Sequence, residues 1–294
     1  MAGSPRRRAV LIAGPTASGK SARALRLARE RGAVIVNADA LQVYTTLRII
    51  TARPSDDDLA LASHRHYGTV DPARRYSTGD WVRDVSLIRD EEQGRELIFV
   101  GGTGLYFETL TRGFADVPEV PATVVAAIEA EVLALDRDGR ARLIAARDPL
   151  IAARLNEPDP QRVTRALAVL AATGRSLASF QDAPQPPLLA GWEIEKLVLN
   201  PDRDILRDRI ARRYRSMLEN GAIAEVEALL ALGLDPALPA MKAIGVPEIS
   251  AMLRGDLSPS DAIERAIIAT RQYAKRQRTW FRGRMADWTW VQAS

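Results

Sequence analysis

The residues best placed to do chemistry stand near the start of the chain. Gly14-Pro15-Thr16-Ala17-Ser18-Gly19-Lys20-Ser21 fits the phosphate-binding pattern G-x-x-x-x-G-K-[ST]. Gly14 and Gly19 let the backbone curl so that successive N–H groups point at one anion. A helix after the loop adds the positive end of its dipole. Lys20 brings a full charge, and the Ser21 hydroxyl is a ligand for Mg²⁺. Such a loop holds a diphosphate or a triphosphate and leaves open which molecule carries it.

Asp39 closes the apolar run Ala33–Asn37. It suits two roles equally: a Walker-B-type acid holding Mg²⁺ through water, or a general base for a nucleophile arriving beside the phosphates. Thr103, inside Gly101-Gly102-Thr103-Gly104, is either a plain tight turn or a contact on a ligand. Arg209 and Arg213, one helical turn apart, fit a phosphate clamp or a solvated face. His64 and His66 are the chain's only histidines. In extended backbone they would share a face, but no third ligand is evident, so packing or surface roles are expected. Arg265, Arg271, Lys275, Arg276, Arg278, Arg282 and Arg284 fall within an acid-free stretch with Tyr273, Trp280 and Phe281 interleaved. That pattern suits RNA phosphates and unstacked bases.

Positioning these residues requires particular elements. Ala9–Ala13 reads as a strand running into the glycine loop, and Ala22–Arg31 as the helix behind it. Ala33–Asn37, Leu97–Val100 and Lys196–Leu199 read as further strands. Strands separated by helical stretches predict a parallel sheet with crossover helices. Ligands then gather at the strands' carboxyl ends, where the loop, Asp39 and Thr103 would meet. Between about 113 and 190 the texture becomes rich in Ala, Leu, Arg and Glu. Helices are expected there near Ala122–Leu135, Ala141–Arg147 and Pro160–Ala172, with Gly174 as a stop and Ala183–Pro187 as a linker. This stretch is a helical insertion or, alternatively, peripheral helices of one domain. Helices follow at Asp204–Asn220 and Ala222–Leu232. Ser258-Pro259-Ser260-Asp261 starts another that reaches about Phe281. On it Ile263, Ile267, Thr270, Ala274, Gln277 and Phe281 share a face, with Arg271, Lys275, Arg278 and Arg282 on a stripe beside it. The expected architecture is α/β: a P-loop NTPase-like parallel sheet core (1–112 and 191–294), an inserted all-helical domain (113–190) and a helical C-terminal region.

The 294 residues carry a net charge of +4 and no cysteine. Disulfides and cysteine–zinc sites are excluded, which suits a reducing cytosol. The start Met1–Arg8 is basic, but the apolar run behind it is too short for a signal peptide, and no run approaches a membrane span. A cytoplasmic protein without a membrane segment is expected.

Six stretches, in order, resemble the tRNA dimethylallyltransferases, also called tRNA isopentenyltransferases. They are the glycine loop, Asp39-Ala40-Leu41-Gln42-Val43-Tyr44, Thr51-Ala52-Arg53-Pro54, Gly101-Gly102-Thr103-Gly104-Leu105-Tyr106, Gln161-Arg162-Val163-Thr164-Arg165-Ala166-Leu167, and Lys275-Arg276-Gln277-Arg278-Thr279-Trp280. The resemblance covers nearly the whole chain. It implies transfer of a dimethylallyl group from dimethylallyl diphosphate to N6 of the adenosine 3′-adjacent to the anticodon, in tRNAs reading codons that begin with U. The loop, with Mg²⁺ on Ser21, then holds the leaving diphosphate rather than a nucleotide such as ATP. On this reading Lys20 and Arg213 stabilise the departing charge, Asp39 takes the N6 proton, and Thr16 and Thr103 position the reactants. Contacts to the anticodon stem-loop would come from Asp39, Ala40, Leu41, Gln42 and Thr103, from Gln161, Arg162, Val163, Thr164 and Arg165, and from Arg271, Lys275, Arg276, Arg278, Trp280 and Arg282. A monomer is expected. The chain departs from the family at Ala40 (usually Ser), Ile50 (Gly), Arg53 (Lys) and Val125 (Arg in some members). Two other classes share the loop and Asp39: a small-molecule or nucleoside kinase, and a nucleotide-switched RNA-binding protein. Either should bind ATP better than dimethylallyl diphosphate.

Overall fold

The computed structural model describes residues 7–292, so the basic start expected at Met1–Arg8 lies outside the described residues up to position 6. Strand β1 (Arg8–Ala13) runs through the glycine loop into helix α1 (Lys20–Arg31). Strand β2 (Val34–Asn37), helix α2 (Asp56–Leu61), strand β3 (His64–Arg65) and helix α3 (Thr78–Glu91) follow. Then come β4 (Leu97–Gly101) and α4 (Gly104–Thr111). Helices α5 (Ala122–Leu133), α6 (Arg137–Arg147), α7 (Pro149–Ala152), α8 (Pro160–Thr173) and α9 (Leu177–Gln181) fill the middle of the chain. The last part comprises β5 (Glu193–Leu199), α10 (Arg203–Glu219), α11 (Ala222–Leu230), α12 (Val246–Leu253), α13 (Pro259–Arg284) and β6 (Thr289–Val291).

The strands form one six-stranded sheet in the order β3-β2-β4-β1-β5-β6, and every pairing is parallel. β2 and β4 are buried from end to end, which is why they read as unbroken apolar runs. Alternation survives in which layer each residue meets. Ala9, Leu11 and Ala13 pack with Trp81, Phe107 and Phe281 on one face, whereas Val10 and Ile12 pack with Ala24 and Leu27 of α1 on the other. The order places β1 between β4 and β5, so the glycine loop leaves the sheet at its centre. The turn after β4 lies beside it at the same edge.

Helix ends follow the capping chemistry of the sequence. The Ser258 hydroxyl accepts from Asp261 N and starts α13 where expected. Gly174, at φ 69°, closes α8. Helix α6 begins a turn before the expected Ala141, because the Asp136 carboxylate accepts from Gly139 N.

The chain divides into two compact units: residues up to Leu110 with those from Leu188 onward, and Thr111–Pro187. The second unit is helical, with Val132, Ile144, Val163 and Leu167 at its core. It ends at Pro187, before the expected 190, because Leu188 N and Leu189 N already donate to Thr109 O and Leu110 O. Within that unit Gln185, in the expected linker, pairs with Phe114 as an isolated bridge. No helix among the described residues is long and apolar enough to cross a membrane.

Candidate active site

The glycine loop closes on itself through Ser18 N to Pro15 O. Gly19 sits at φ +87°, left-handed backbone that a side chain would strain. Ala17 takes φ +63° without being glycine, a cost of roughly 1–2 kcal/mol accepted at the turn into the site. Helix α1 follows with no acid in its first turn, so nothing on it neutralises the exposed amide end.

The loop floors a cleft of about 580 Å³ lined by Thr16–Ala22, Asp39, Thr51 and, from α10, Arg209, Arg212, Arg213 and Ser216. The anticipated pair Arg209 and Arg213 both face it. Arg212, three residues from Arg209 and so on the same side of α10, lines it too. Burial pushes the Lys20 ammonium down to about 8; Asp39 opposes the shift and Arg213 adds to it. Burial likewise lowers Arg213, again against Asp39. Four cations and one carboxylate line the cleft, which makes it a receptor for a multiply charged anion.

A pH dependence follows. A bound diphosphate raises the Lys20 pKa above its free value near 8, so above that pH the complex holds more protons than the free protein. Binding then takes up a proton, and affinity falls as pH rises past about 8, by up to about tenfold per unit from this group. Calorimetry with inorganic diphosphate in buffers of different ionisation enthalpy reads the uptake. Lys20→Met should abolish it.

Asp39 is held by a residue that the sequence reading passed over. Asn37 is fully buried at the end of β2. Its Oδ1 accepts from Asp39 N at 2.8 Å, and its Nδ2 donates to Asp39 O at 2.9 Å and to His66 O at 3.2 Å. The Asn37 carbonyl in turn accepts from Trp81 Nε1. A polar residue ending a buried strand was the available signal. Asp39 Oδ1 accepts from Leu41 N. The Thr103 hydroxyl oxygen accepts from Ala40 N at 3.0 Å, and Thr103 N donates to Ala38 O. Thr103 therefore shapes the loop that carries Asp39. Gln42 braces the same region, with Nε2 donating to Thr51 O and Ala52 O.

A second recess, of about 280 Å³, shares Thr16, Asp39, Thr51 and Arg213 with the cleft. Its walls are largely apolar: Leu41, Ile50, Ile210, Met217 and Ile244, with Tyr214 and Tyr273, and with Lys242 and Arg276 at its edge. Ile50 lies under Gly245, where a Cβ would come within 2.5 Å of Ile50 Cδ1. Asp39 thus stands where a cationic cleft meets an apolar recess.

The remaining expectations divide. Gln161, Arg162 and Arg165 are exposed on α8, but Val163 and Thr164 are buried. Helical periodicity turns that pair into the core, so neither offers an RNA contact. On α13, Arg271, Lys275, Arg276 and Arg282 are exposed, and Arg278 is half-buried. Trp280 lies flat on Gly104, where a Cβ would come 2.1 Å from its ring, and Phe281 is core. Burial takes Phe281 out of any base stacking, whereas Trp280 is only partly buried; Tyr273 is the interleaved aromatic that lines the recess. His64 and His66 do not share a face. β3 ends at Arg65, and His66 takes φ +68°. The buried His66 ring bonds Thr69 Oγ1 and the Tyr76 hydroxyl, which donates to Asp84. Among the described residues no group of three acids or histidines could hold a metal alone. The Ser21 hydroxyl and the Asp39 carboxylate do line one cleft. That donor set fits Mg²⁺, which takes few protein ligands and completes its shell with phosphate oxygens and water.

A family model described as IPP transferase matches residues 42–284, and one described as isopentenyl transferase matches residues 7–76. The chain is 51% identical over 284 residues to the tRNA dimethylallyltransferase of Allorhizobium ampelinum, covering 96% of this chain and 93% of that protein. It is 52% identical over 283 residues to the tRNA dimethylallyltransferase of Chelativorans sp., covering 95% and 97%. Among solved structures, a eukaryotic dimethylallyltransferase captured acting on tRNA superposes with a TM-score of 0.78 at 27% identity, covering 94% of this chain and 70% of that one. The tRNA isopentenylpyrophosphate transferase of Bacillus halodurans gives a TM-score of 0.68 at 30% identity, covering 98% and 90%.

Proposed function

The chain belongs to the tRNA dimethylallyltransferase (IPP transferase) family, and from that premise we propose how its cleft and recess carry out the transfer. Dimethylallyl diphosphate places its diphosphate on the glycine loop and its five-carbon tail toward the apolar recess. The acceptor is N6 of the adenosine 3′-adjacent to the anticodon, in tRNAs reading codons that begin with U. The observation that carries this reading is the position of Asp39, at the junction of a cationic cleft and an apolar recess. A kinase needs no basic, aromatic-studded final helix, and a nucleotide switch needs no acid aimed at an amine.

The C1–O bond of the allylic diphosphate breaks and the C1–N6 bond forms. The electron pair of the broken bond leaves on diphosphate. Loop amides, Lys20 and Arg213 stabilise that charge, and Arg209 and Arg212 line the same cleft. Asp39 accepts a hydrogen bond from the N6 amine, orients it and takes its proton. The loop clamped by Asn37 and Thr103 fixes that carboxylate, which matters because an exocyclic adenine amine is a poor nucleophile. Ser21 would hold Mg²⁺, which supplies further charge neutralisation on diphosphate when bound. Extruding the base costs a few kcal/mol, least in an already single-stranded loop.

The tRNA backbone is held by Arg271, Lys275, Arg278 and Arg282 on α13, with Arg276 beside them and Gln161, Arg162 and Arg165 on α8. The enzyme works as a monomer in the cytoplasm. Each phosphate contact releases counterions, which gives a slope in log affinity against log salt of about −0.7 per contact for single strands and −0.9 for duplex. Replacing the four α13 stripe residues with glutamine flattens the slope by about 2–3, the half-buried Arg278 contributing least. Diphosphate binding changes little. Parallel lines for the two proteins across a salt series would reduce the stripe to a solvated face.

The test of the reading is incubation with labelled dimethylallyl diphosphate and unmodified tRNA, followed by nucleoside analysis. N6-dimethylallyladenosine and free diphosphate are the expected products. Phosphate transfer from ATP, with no prenyl transfer, would replace this reading with the kinase.

A further inference from the structure

Helix α13 turns one face inward, and on it Ala266, Ile267, Ala274 and Phe281 are buried. Gln277 is the buried polar residue of that face, at 6% exposure. A carboxamide in such a position costs stability unless each end finds a partner. Here both do. Oε1 accepts from the Thr16 backbone N–H at 2.9 Å, and Nε2 donates to Gly102 O at 3.0 Å. An N–H opposite one end and a carbonyl opposite the other fix the orientation of the amide. Gly102 makes room for it, since a Cβ there would lie 2.1 Å from Nε2. One side chain from the C-terminal helix therefore joins the glycine loop to the turn after β4.

The loop residue it grips matters. Thr16 lines both the cationic cleft and the apolar recess, and its hydroxyl accepts from Arg213. With its N–H bonded to Gln277, the Thr16 amide faces α13, and the hydroxyl is left to orient the guanidinium. We propose that Gln277 is a positioning residue for the diphosphate site: by fixing the Thr16 backbone it sets the hydroxyl that aims Arg213 at the leaving group. The inference rests on the reading of that cleft as a diphosphate site. It adds a route by which a residue remote in sequence governs that site.

The probe is inorganic diphosphate, whose binding is measured by calorimetry without any turnover. Gln277→Met keeps side-chain length and leaves the Thr16 N–H and Gly102 O without their partner. It is expected to weaken diphosphate binding about tenfold, the order set by one buried donor left unsatisfied. Affinity for tRNA should stay unchanged, a split that a purely structural loss of packing would not produce. Thr16→Ala should weaken diphosphate by a similar factor. The double variant should be little weaker than the worse single one, because both act through the same hydroxyl. Multiplying effects would show that the two residues act independently and would overturn the proposal, as would wild-type affinity in Gln277→Met. If Gln277→Met does not fold, Gly102→Ala displaces the same carboxamide from the other side. It is expected to weaken diphosphate equally, and unchanged affinity there would overturn the proposal as well. A wild-type protein that binds diphosphate with this pattern but transfers no prenyl group would sink the assigned reaction and leave the positioning role standing.

Discussion

With asparagine at position 39, single-turnover prenyl transfer falls by about 10²–10⁴, the usual worth of a positioned general base. Asparagine keeps the shape and can still accept from Leu41 N, as Asp39 Oδ1 does. It cannot take a proton from N6. The Asn37 clamp grips the backbone of residue 39, so the loop should hold its place and tRNA affinity should change by less than about threefold, within the scatter expected of a near-isosteric change. Rapid quench with both substrates saturating gives the rate, and filter binding gives the affinity. An unchanged rate with weakened Mg²⁺ binding would make Asp39 a metal holder instead.

Lys20→Ala has the second large effect. Lys20 lies at the floor of the cleft, where its Nζ donates to Pro15 O at 3.4 Å and burial weakens its hold on the proton. A charge removed from water there acts strongly on an anion arriving beside it. Its loss costs about 10²–10³ in kcat, as for other preorganised electrostatic donors. Lys20→Arg keeps the charge but not the compact ammonium, and recovers only part of the rate. The comparison of kcat for the three proteins, with KM for the allylic diphosphate, checks it. Wild-type turnover in Lys20→Ala would remove the glycine loop from the reaction centre.

The parts legible in the sequence were those with a local cause. Eight loop residues carry their own geometry, and the strands behind them are apolar runs that only a covered parallel sheet accommodates. Asp39 was legible as an acid at a strand end, but which residue holds it was not. Asn37 lies two residues before it; its bond to Asp39 N has the spacing of an Asx turn, but its bond to His66 O depends on a loop path that no spacing rule gives. Gln277 shares its helix face with Ile263, Ile267, Ala274 and Phe281. Its polarity at that phase of the helix was the sign of a partner, but the partner, Thr16, is 261 residues away. The motif resemblance puts Val163 and Thr164 among the RNA contacts, but the fold buries both. The 3.6-residue period alone would have turned them inward with Ala166 and Leu167. His66 leaves the face it would share with His64 in extended backbone because its φ is left-handed, and it takes the packing role expected of it. The recess was invisible because Ile50, Ile210, Met217 and Ile244 come together only in three dimensions.

The central claim is that Asp39 receives an adenine amine next to a departing diphosphate. It is tested most directly by mapping the label within a tRNA anticodon stem-loop, using dimethylallyl-labelled donor and fragment mass spectrometry. One labelled nucleotide is expected, the adenosine 3′-adjacent to the anticodon, and no label when that adenosine is replaced by guanosine, which lacks the 6-amine. Label at other positions, or label surviving the replacement, would contradict it.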